Sequence, residues 1–215
     1  MGTVGGGAVE REVLAALRTM LADGRAAKHE LRSFALGAEL GMCCGGSLDL
    51  LLEPIEAQLP LLVVGGGHVA TACAPLLAKL GFAVTVVDAR DAWGKEGRLE
   101  GVSCLVGDYD DVGRTVPDHA AVLVMTHDHA LDQEVIEWAL RRGFAFVGGV
   151  GSRAKAKRTR DRLAHRGFGQ EEVERVRMPL GVDIGARLPE EIAVAIAAEM
   201  IAWRRAPSPA VARPK

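Results

Sequence analysis

Two adjacent cysteines, a glycine-rich turn, a Thr-His-Asp-His segment and an arginine just inside a helix start carry the distinctive chemistry of this chain. In Val63-Val64-Gly65-Gly66-Gly67-His68-Val69-Ala70, Gly65 and Gly67 take the glycine positions of a dinucleotide fingerprint and Ala70 takes the third. The first glycine permits a tight turn. The second lets a ligand phosphate approach the amides at a helix N-terminus, where the dipole favours negative charge, and His68 stands beside that turn. Asp88 ends the next apolar run, where an acid can accept hydrogen bonds from ribose hydroxyls. The alternative for the glycines is that they only pack helix against sheet.

Thr126-His127-Asp128-His129 and Gly148-Gly149-Val150-Gly151-Ser152-Arg153 each follow a further apolar run. Thr126 and His127 can present hydrogen-bond donors to a ligand, and Asp128 and Ser152 can cap the helices that follow. Arg153 offers a planar fork for phosphate. Asp183 and Arg187 stand near the two glycines of Pro179-Leu180-Gly181-Val182-Asp183-Ile184-Gly185-Ala186-Arg187, as pocket candidates or as the solvated charges of a connector. His127 and His129 are spaced as zinc ligands can be, but no third ligand follows at a diagnostic spacing, so polar lining is the reading for that segment. Cys43 and Cys44, in Gly41-Met42-Cys43-Cys44-Gly45-Gly46, are soft thiols suited to a metal centre; buried small side chains are the alternative. Cys73 and Cys104 lie in apolar stretches and read as core.

The elements that must position these residues follow from periodicity. Leu61 to Val64, Ala83 to Val87, Val102 to Val106, Ala121 to Met125 and Phe144 to Val147 are apolar runs of strand length. Helical stretches alternate with them, notably Val69 to Leu80 and Leu131 to Arg141, which predicts a Rossmann-like, doubly wound parallel sheet of the α/β class. A basic helix (Ala154 to His165), a short acidic one (Gln170 to Val176) and a last helix opening at Pro189 complete this domain, 59–206. Residues 1–58 predict a small α+β module: a helix with Val9, Val13, Leu17 and Leu21 on one face, then strands Lys28 to Leu36 and Ser47 to Leu52 around the cysteine loop. Such a module is too small to hold a core alone, so it must dock or mediate a homodimer. Residues 207–215, with three prolines, read as a disordered tail.

Composition narrows the function classes. With 215 residues, 49% hydrophobic and 25% charged, the chain can bury a core, and a formal charge of -2 argues against bulk binding to nucleic acid or an anionic membrane. The uncharged stretch Ala57 to Ala78 is long enough to span a bilayer, but its Gly65-Gly66-Gly67 and two prolines assign it to a strand, a turn and a helix. Four cysteines in no disulfide framework, with no leader segment, point to the cytoplasm.

Taken in order, Gly41-Met42-Cys43-Cys44-Gly45-Gly46, Gly65-Gly66-Gly67-His68, Met125-Thr126-His127-Asp128-His129-Ala130, Gly151-Ser152-Arg153 and Pro179 to Ala186 resemble the signature blocks of the XdhC/CoxI family of xanthine dehydrogenase accessory proteins. The resemblance spans nearly the whole chain. It implies a protein that binds the molybdenum cofactor (molybdopterin), shields it while a cysteine desulfurase supplies sulfur, and inserts it into the large subunit of a molybdenum hydroxylase, without turnover of its own. For such a cofactor, Cys43 and Cys44 could supply thiolate to the metal centre or to the sulfuration step, and Arg153 suits its anionic end. Met42 stands where family members usually carry Gln, and against the family the chain is short at its N-terminus. Two other readings remain at this stage: an NAD(P)-dependent oxidoreductase built on Gly65, Gly67 and Asp88, and a nucleotide-sensing Rossmann module whose basic helix docks a partner.

Overall fold

The structure is a computed structural model, and it describes residues 4, 6–22, 29–35, 46–53 and 58–206. The chain divides into two compact units, Met1–Ala57 and Gln58–Lys215. The Cys43-Cys44 loop and the expected tail at 207–215 lie outside the described residues.

In the first unit, helix α1 (Gly7–Ala22) precedes strands β1 (Glu30–Ala35) and β2 (Ser47–Leu52), which pair antiparallel. The buried stripe of α1 is Val9, Val13, Ala16 and Met20, against Phe34 and Leu52. Leu17 is only partly buried. A strict four-residue spacing drifts about 40° per step around a helix of 3.6 residues per turn, so steps of three and four are what keep the stripe on one face.

The second unit is a six-stranded sheet in the order β5-β4-β3-β6-β7-β8, with every described pairing parallel. Its strands are β3 (Leu59–Val64), β4 (Phe82–Asp88), β5 (Ser103–Val106), β6 (Ala121–Val124), β7 (Phe146–Gly149) and β8 (Val176–Arg177). Short helices α3 (Asp91–Gly94) and α4 (Tyr109–Gly113) follow β4 and β5. The main covering helices are α2 (His68–Lys79), α5 (His129–Arg142), α6 (Arg153–His165) and α8 (Pro189–Arg205), with the short α7 (Gln170–Arg175) before β8.

Both faces of the sheet are covered at its centre, which is why β3 and β6 read as unbroken apolar runs, whereas on the edge strand β5 Leu105 and Val106 are exposed. On β3, Leu61 and Val63 pack with Leu77, Ile196 and Met200 of α2 and α8. Leu62 and Val64 face the other way, into a cluster with Val135 and Ile136 of α5 and Leu163 of α6. The stretch from Gln58 to Ala78 is accordingly strand, turn and helix, and among the described residues no helix is long and apolar enough to cross a membrane.

Two of the boundaries that differ from the sequence reading have a cause in strand pairing. β7 runs over Phe146–Gly149 rather than Phe144 to Val147, because its ladder pairs Ala121 with Phe146 and Val124 with Gly149. Two glycines inside a strand look like a loop in sequence; a Cβ at Gly148 would lie 2.6 Å from Leu180 Cδ1 and 2.9 Å from Phe146 Cε1, so a side chain there would have to displace both. Val176 belongs to β8 and not to the preceding helix, since it pairs with Val147.

The chain runs outward from β3 through β4 to β5, then returns to place β6 on the other side of β3. This makes a topological switch point at the carboxyl ends of β3 and β6, where open α/β sheets take ligands.

Candidate functional site

The glycine turn joins β3 to α2. Gly65 has φ of 101°, and a Cβ there would stand 2.7 Å from the Met125 carbonyl oxygen and 2.8 Å from Thr126 Cα. Glycine alone lets this turn close on the end of β6. At Gly67 the space beyond the Cβ position is open, and α2 begins with no side-chain cap and no acid in its first turn. No side chain of α2 itself therefore compensates the positive end of that helix.

Asp88, at the end of β4, is 6% exposed and saturated. Oδ2 accepts from the Gly66 amide at 2.8 Å and Arg90 Nη2 at 2.7 Å; Oδ1 accepts from the Arg90 amide at 2.9 Å and Arg90 Nε at 2.8 Å. Burial alone would raise its pKa, yet the Arg90 guanidinium and the two amides outweigh burial and hold the carboxyl at about 2. Asp88 thus stays charged at neutral pH, but the ribose contact expected of it finds all its oxygens occupied. Arg90 also approaches the Trp93 ring at 5.5 Å, and Arg98 approaches it at 4.7 Å while donating to the Gly66 carbonyl at 3.1 Å. His68 meets Trp93 edge-on at 5.3 Å and is exposed, lining a separate hollow with Thr71 and Glu190 rather than the cavity at Asp88.

That cavity, of about 220 Å³, is bounded by Gly65, Val87, Asp88, Arg90, Tyr109 and His127, among others. Thr126 also lines it, but its hydroxyl is engaged within the fold. The Thr126 Oγ1 donor contacts Asp132 Oδ1 at 2.7 Å and the Asp128 carbonyl at 2.9 Å, and the oxygen accepts the Asp128 amide at 3.1 Å. A single hydroxyl hydrogen has no donor left for a ligand, which leaves His127 as the polar group of this segment facing the cavity. Asp128 caps α5, accepting the Ala130 amide at 2.7 Å and the Leu131 amide at 3.4 Å, and these amides lower its pKa. His129 is the first, exposed residue of α5.

A second cavity, of about 350 Å³, lies where β7 gives way to α6. Ser152 Oγ accepts the Lys155 amide at 3.2 Å and caps the helix. Arg153 Nη2 donates to Asp183 Oδ2 at 2.6 Å, with side chains 84% and 76% exposed. The loop from Pro179 to Ala186 forms the facing wall and is tied down at three points: Leu180 N to Gly149 O at 3.0 Å, Gly181 N to Glu199 Oε2 at 2.6 Å and Val182 N to Ala195 O at 3.1 Å. Arg187 is exposed and does not line this cavity; its amide donates to Glu191 Oε2 at 2.7 Å, at the start of α8.

The structure therefore brings together Gly65, Asp88, Thr126 and His127 around one cavity, and Arg153 and Asp183 around another, at the same sheet edge. Between them lies a buried ion pair absent from the sequence reading: Lys155 Nζ donates to Asp132 Oδ2 and, at 3.1 Å, to the Val150 carbonyl. Its signal was an acid on the apolar face of α5, alongside Val135, Ile136 and Ala139. Arg90 was also missed, and the pattern Asp88-Ala89-Arg90 at a strand end was its signal. Cys73 and Cys104 are both 1% exposed, and burial pushes the Cys73 thiol up to about 12. Among the described residues no group of three or more His, Cys, Asp or Glu is arranged to hold a metal ion; Cys43 and Cys44 are not among those residues.

Residues 61–200 match the family described as the XdhC Rossmann domain. The chain is 30% identical over 209 residues to an uncharacterized protein of Escherichia coli (strain K12), YqeB, covering 94% of this chain and 38% of that protein. It is 29% identical over 160 residues to a Bacillus subtilis (strain 168) protein named as a probable xanthine dehydrogenase component, covering 73% of this chain and 46% of that one. A crystal structure described as a xanthine dehydrogenase from Bacillus halodurans matches with a TM-score of 0.60 at 25% identity, over 74% of this chain and 47% of that chain. The chain spans less than half the length of each of these relatives.

Proposed function

The chain belongs to the XdhC Rossmann domain family, and we propose that it is an accessory protein of a xanthine dehydrogenase-type molybdenum hydroxylase that binds the molybdenum cofactor and passes it to the enzyme's large subunit. The observation that carries this reading is the cavity of about 350 Å³ between the start of α6 and the loop from Pro179 to Ala186, with the Arg153 fork at its edge. The names of two relatives that contain xanthine dehydrogenase support the choice of client.

The residues present suit the anionic end of a phosphorylated pterin. The cavity falls in the range of small-molecule sites. Arg153 supplies a planar pair of donors, and the 13-residue α6 turns its positive end the same way. An ion pair as exposed as Arg153 with Asp183 contributes about 0–1 kcal/mol, so Arg153 can exchange that partner for a phosphate at little cost. Ser152 and Lys155 keep the helix start in place through the cap and the pair with Asp132. When bound, the cofactor carries the metal dithiolene at which the client enzyme does its chemistry.

Cys43 and Cys44 are assigned, on the family resemblance, as the thiols that meet the metal end while a cysteine desulfurase supplies sulfur. The chain is read as a cytoplasmic homodimer that performs no turnover itself. The reading is tested by reconstitution. Cofactor-loaded full chain is mixed with the apo form of a molybdenum hydroxylase, and hydroxylase activity is followed. Activity should appear with wild type and fall with a Cys43→Ser/Cys44→Ser double variant. Activation no better than that given by free cofactor would overturn it.

A further inference from the structure

The cavity of about 220 Å³ at the ends of β3, β4 and β6 is separate from the one assigned to the pterin, and its polar wall has an unusual construction. In a Rossmann turn the acid after the second strand accepts the hydroxyls of a ribose. A carboxylate has about four lone-pair positions, and at Asp88 four donors from Gly66 and Arg90 already fill them. A ribose diol arriving at Asp88 finds no free acceptor on that carboxylate.

Arg90 presents the opposite face. A guanidinium carries five N–H groups in a planar fork, and only one from Nε and one from Nη2 go to Asp88. Its side chain makes no other hydrogen bond among the described residues, is 40% exposed and lines the cavity. The remaining donors therefore form a cationic edge, fixed in direction by the bidentate grip of Asp88 behind it. Such a forked edge matches a phosphate better than a hydroxyl. Val64, Val87 and Leu131 give an apolar floor, and the Tyr109 hydroxyl is kept protonated by burial and by Asp108, Glu134 and Asp110. Asp108, the other acid on the wall, has Oδ1 turned to the Asp110 amide at 2.8 Å. Next to this wall the open Gly67 position and the uncapped start of α2 leave room for a second anionic group.

We propose that this cavity binds a nucleotide whose ribose carries a phosphate, with Arg90 rather than Asp88 making the recognition contact. The site is built on strands other than those that lead to Arg153, so it stands or falls apart from the pterin reading.

Calorimetric titration of the full chain tests it, using adenosine 5′-diphosphate, adenosine 2′,5′-bisphosphate and adenosine 3′,5′-bisphosphate, then NAD, NADP and coenzyme A. Wild type should bind one of the two bisphosphates at least about tenfold more tightly than the plain diphosphate, as expected for one charge-assisted contact. NADP over NAD identifies a 2′-phosphate source, and coenzyme A identifies a 3′-phosphate source. Arg90→Gln, which keeps a neutral donor near Asp88, should erase the preference, and thermal melting checks that the variant is folded. No binding, equal affinity, or tighter binding of the plain diphosphate by wild type would overturn the proposal without any variant. A preference that survives intact in folded Arg90→Gln would overturn the role of Arg90.

Discussion

Asp88 shows how far residue type alone can be trusted. An acid at the end of the second strand of a Rossmann turn was legible from spacing, but its occupancy was not, because that depends on Arg90 folding back two residues later. The pair has a pH signature. The folded pKa of about 2 lies below the ordinary value of 3.8, so the stabilisation is present above pH ~4 and is lost as pH falls toward 2. The shift corresponds to up to about 2 kcal/mol, reduced by solvent screening at the half-exposed Arg90. Urea midpoints at pH ~6 and pH ~2.5 check this: Asp88→Asn should be clearly less stable than wild type at the higher pH, and the gap should shrink at the lower one. An equal gap at both would mean that the charge of Asp88 contributes nothing.

At the scale of elements, the covered strands and long helices were legible because burial on both faces leaves continuous apolar runs. Glycines inside β7 and the two-residue β8 were not, since their pairing is set by neighbours distant in sequence. The glycine turn gives a matched pair of outcomes. Gly65→Ala places a Cβ against the Met125 carbonyl at positive φ and should cost on the order of 2–3 kcal/mol. Gly67→Ala meets open space and should stay within about 1 kcal/mol of wild type. Thermal melts of the two variants compare them directly, and equal losses would refute the close approach to β6.

The pair joining α5 to α6 belongs to the same scale. Asp132→Ala leaves Lys155, 13% exposed, without its counter-charge and the Thr126 amide without its acceptor, so a loss of about 3–5 kcal/mol is expected in denaturant unfolding. Adding Lys155→Met should recover part of that loss, since it removes the stranded charge. A double variant no more stable than the single one would argue that the pair is not the connection between the two helix starts.

For the whole molecule, alternation of apolar runs and helices was enough to read a doubly wound sheet, and one strand order places two cavities along a single carboxyl edge. The separation of those cavities was not legible. The segments at Thr126 and Ser152 both follow apolar runs and look alike in sequence, whereas β6 and β7 carry them to different hollows, with Asp132 and Lys155 between. The division assigns the pterin to Arg153 and its loop and leaves Arg90 to a different ligand. The central claim is tested most directly by the pterin content of the purified full chain, expressed in a host that makes molybdopterin and read as the fluorescent oxidation product. Wild type and Arg90→Gln should retain pterin equally, and Arg153→Ala should hold about tenfold less, the loss expected for one charge-assisted contact. Pterin absent from all three, or equal in wild type and Arg153→Ala, would contradict it.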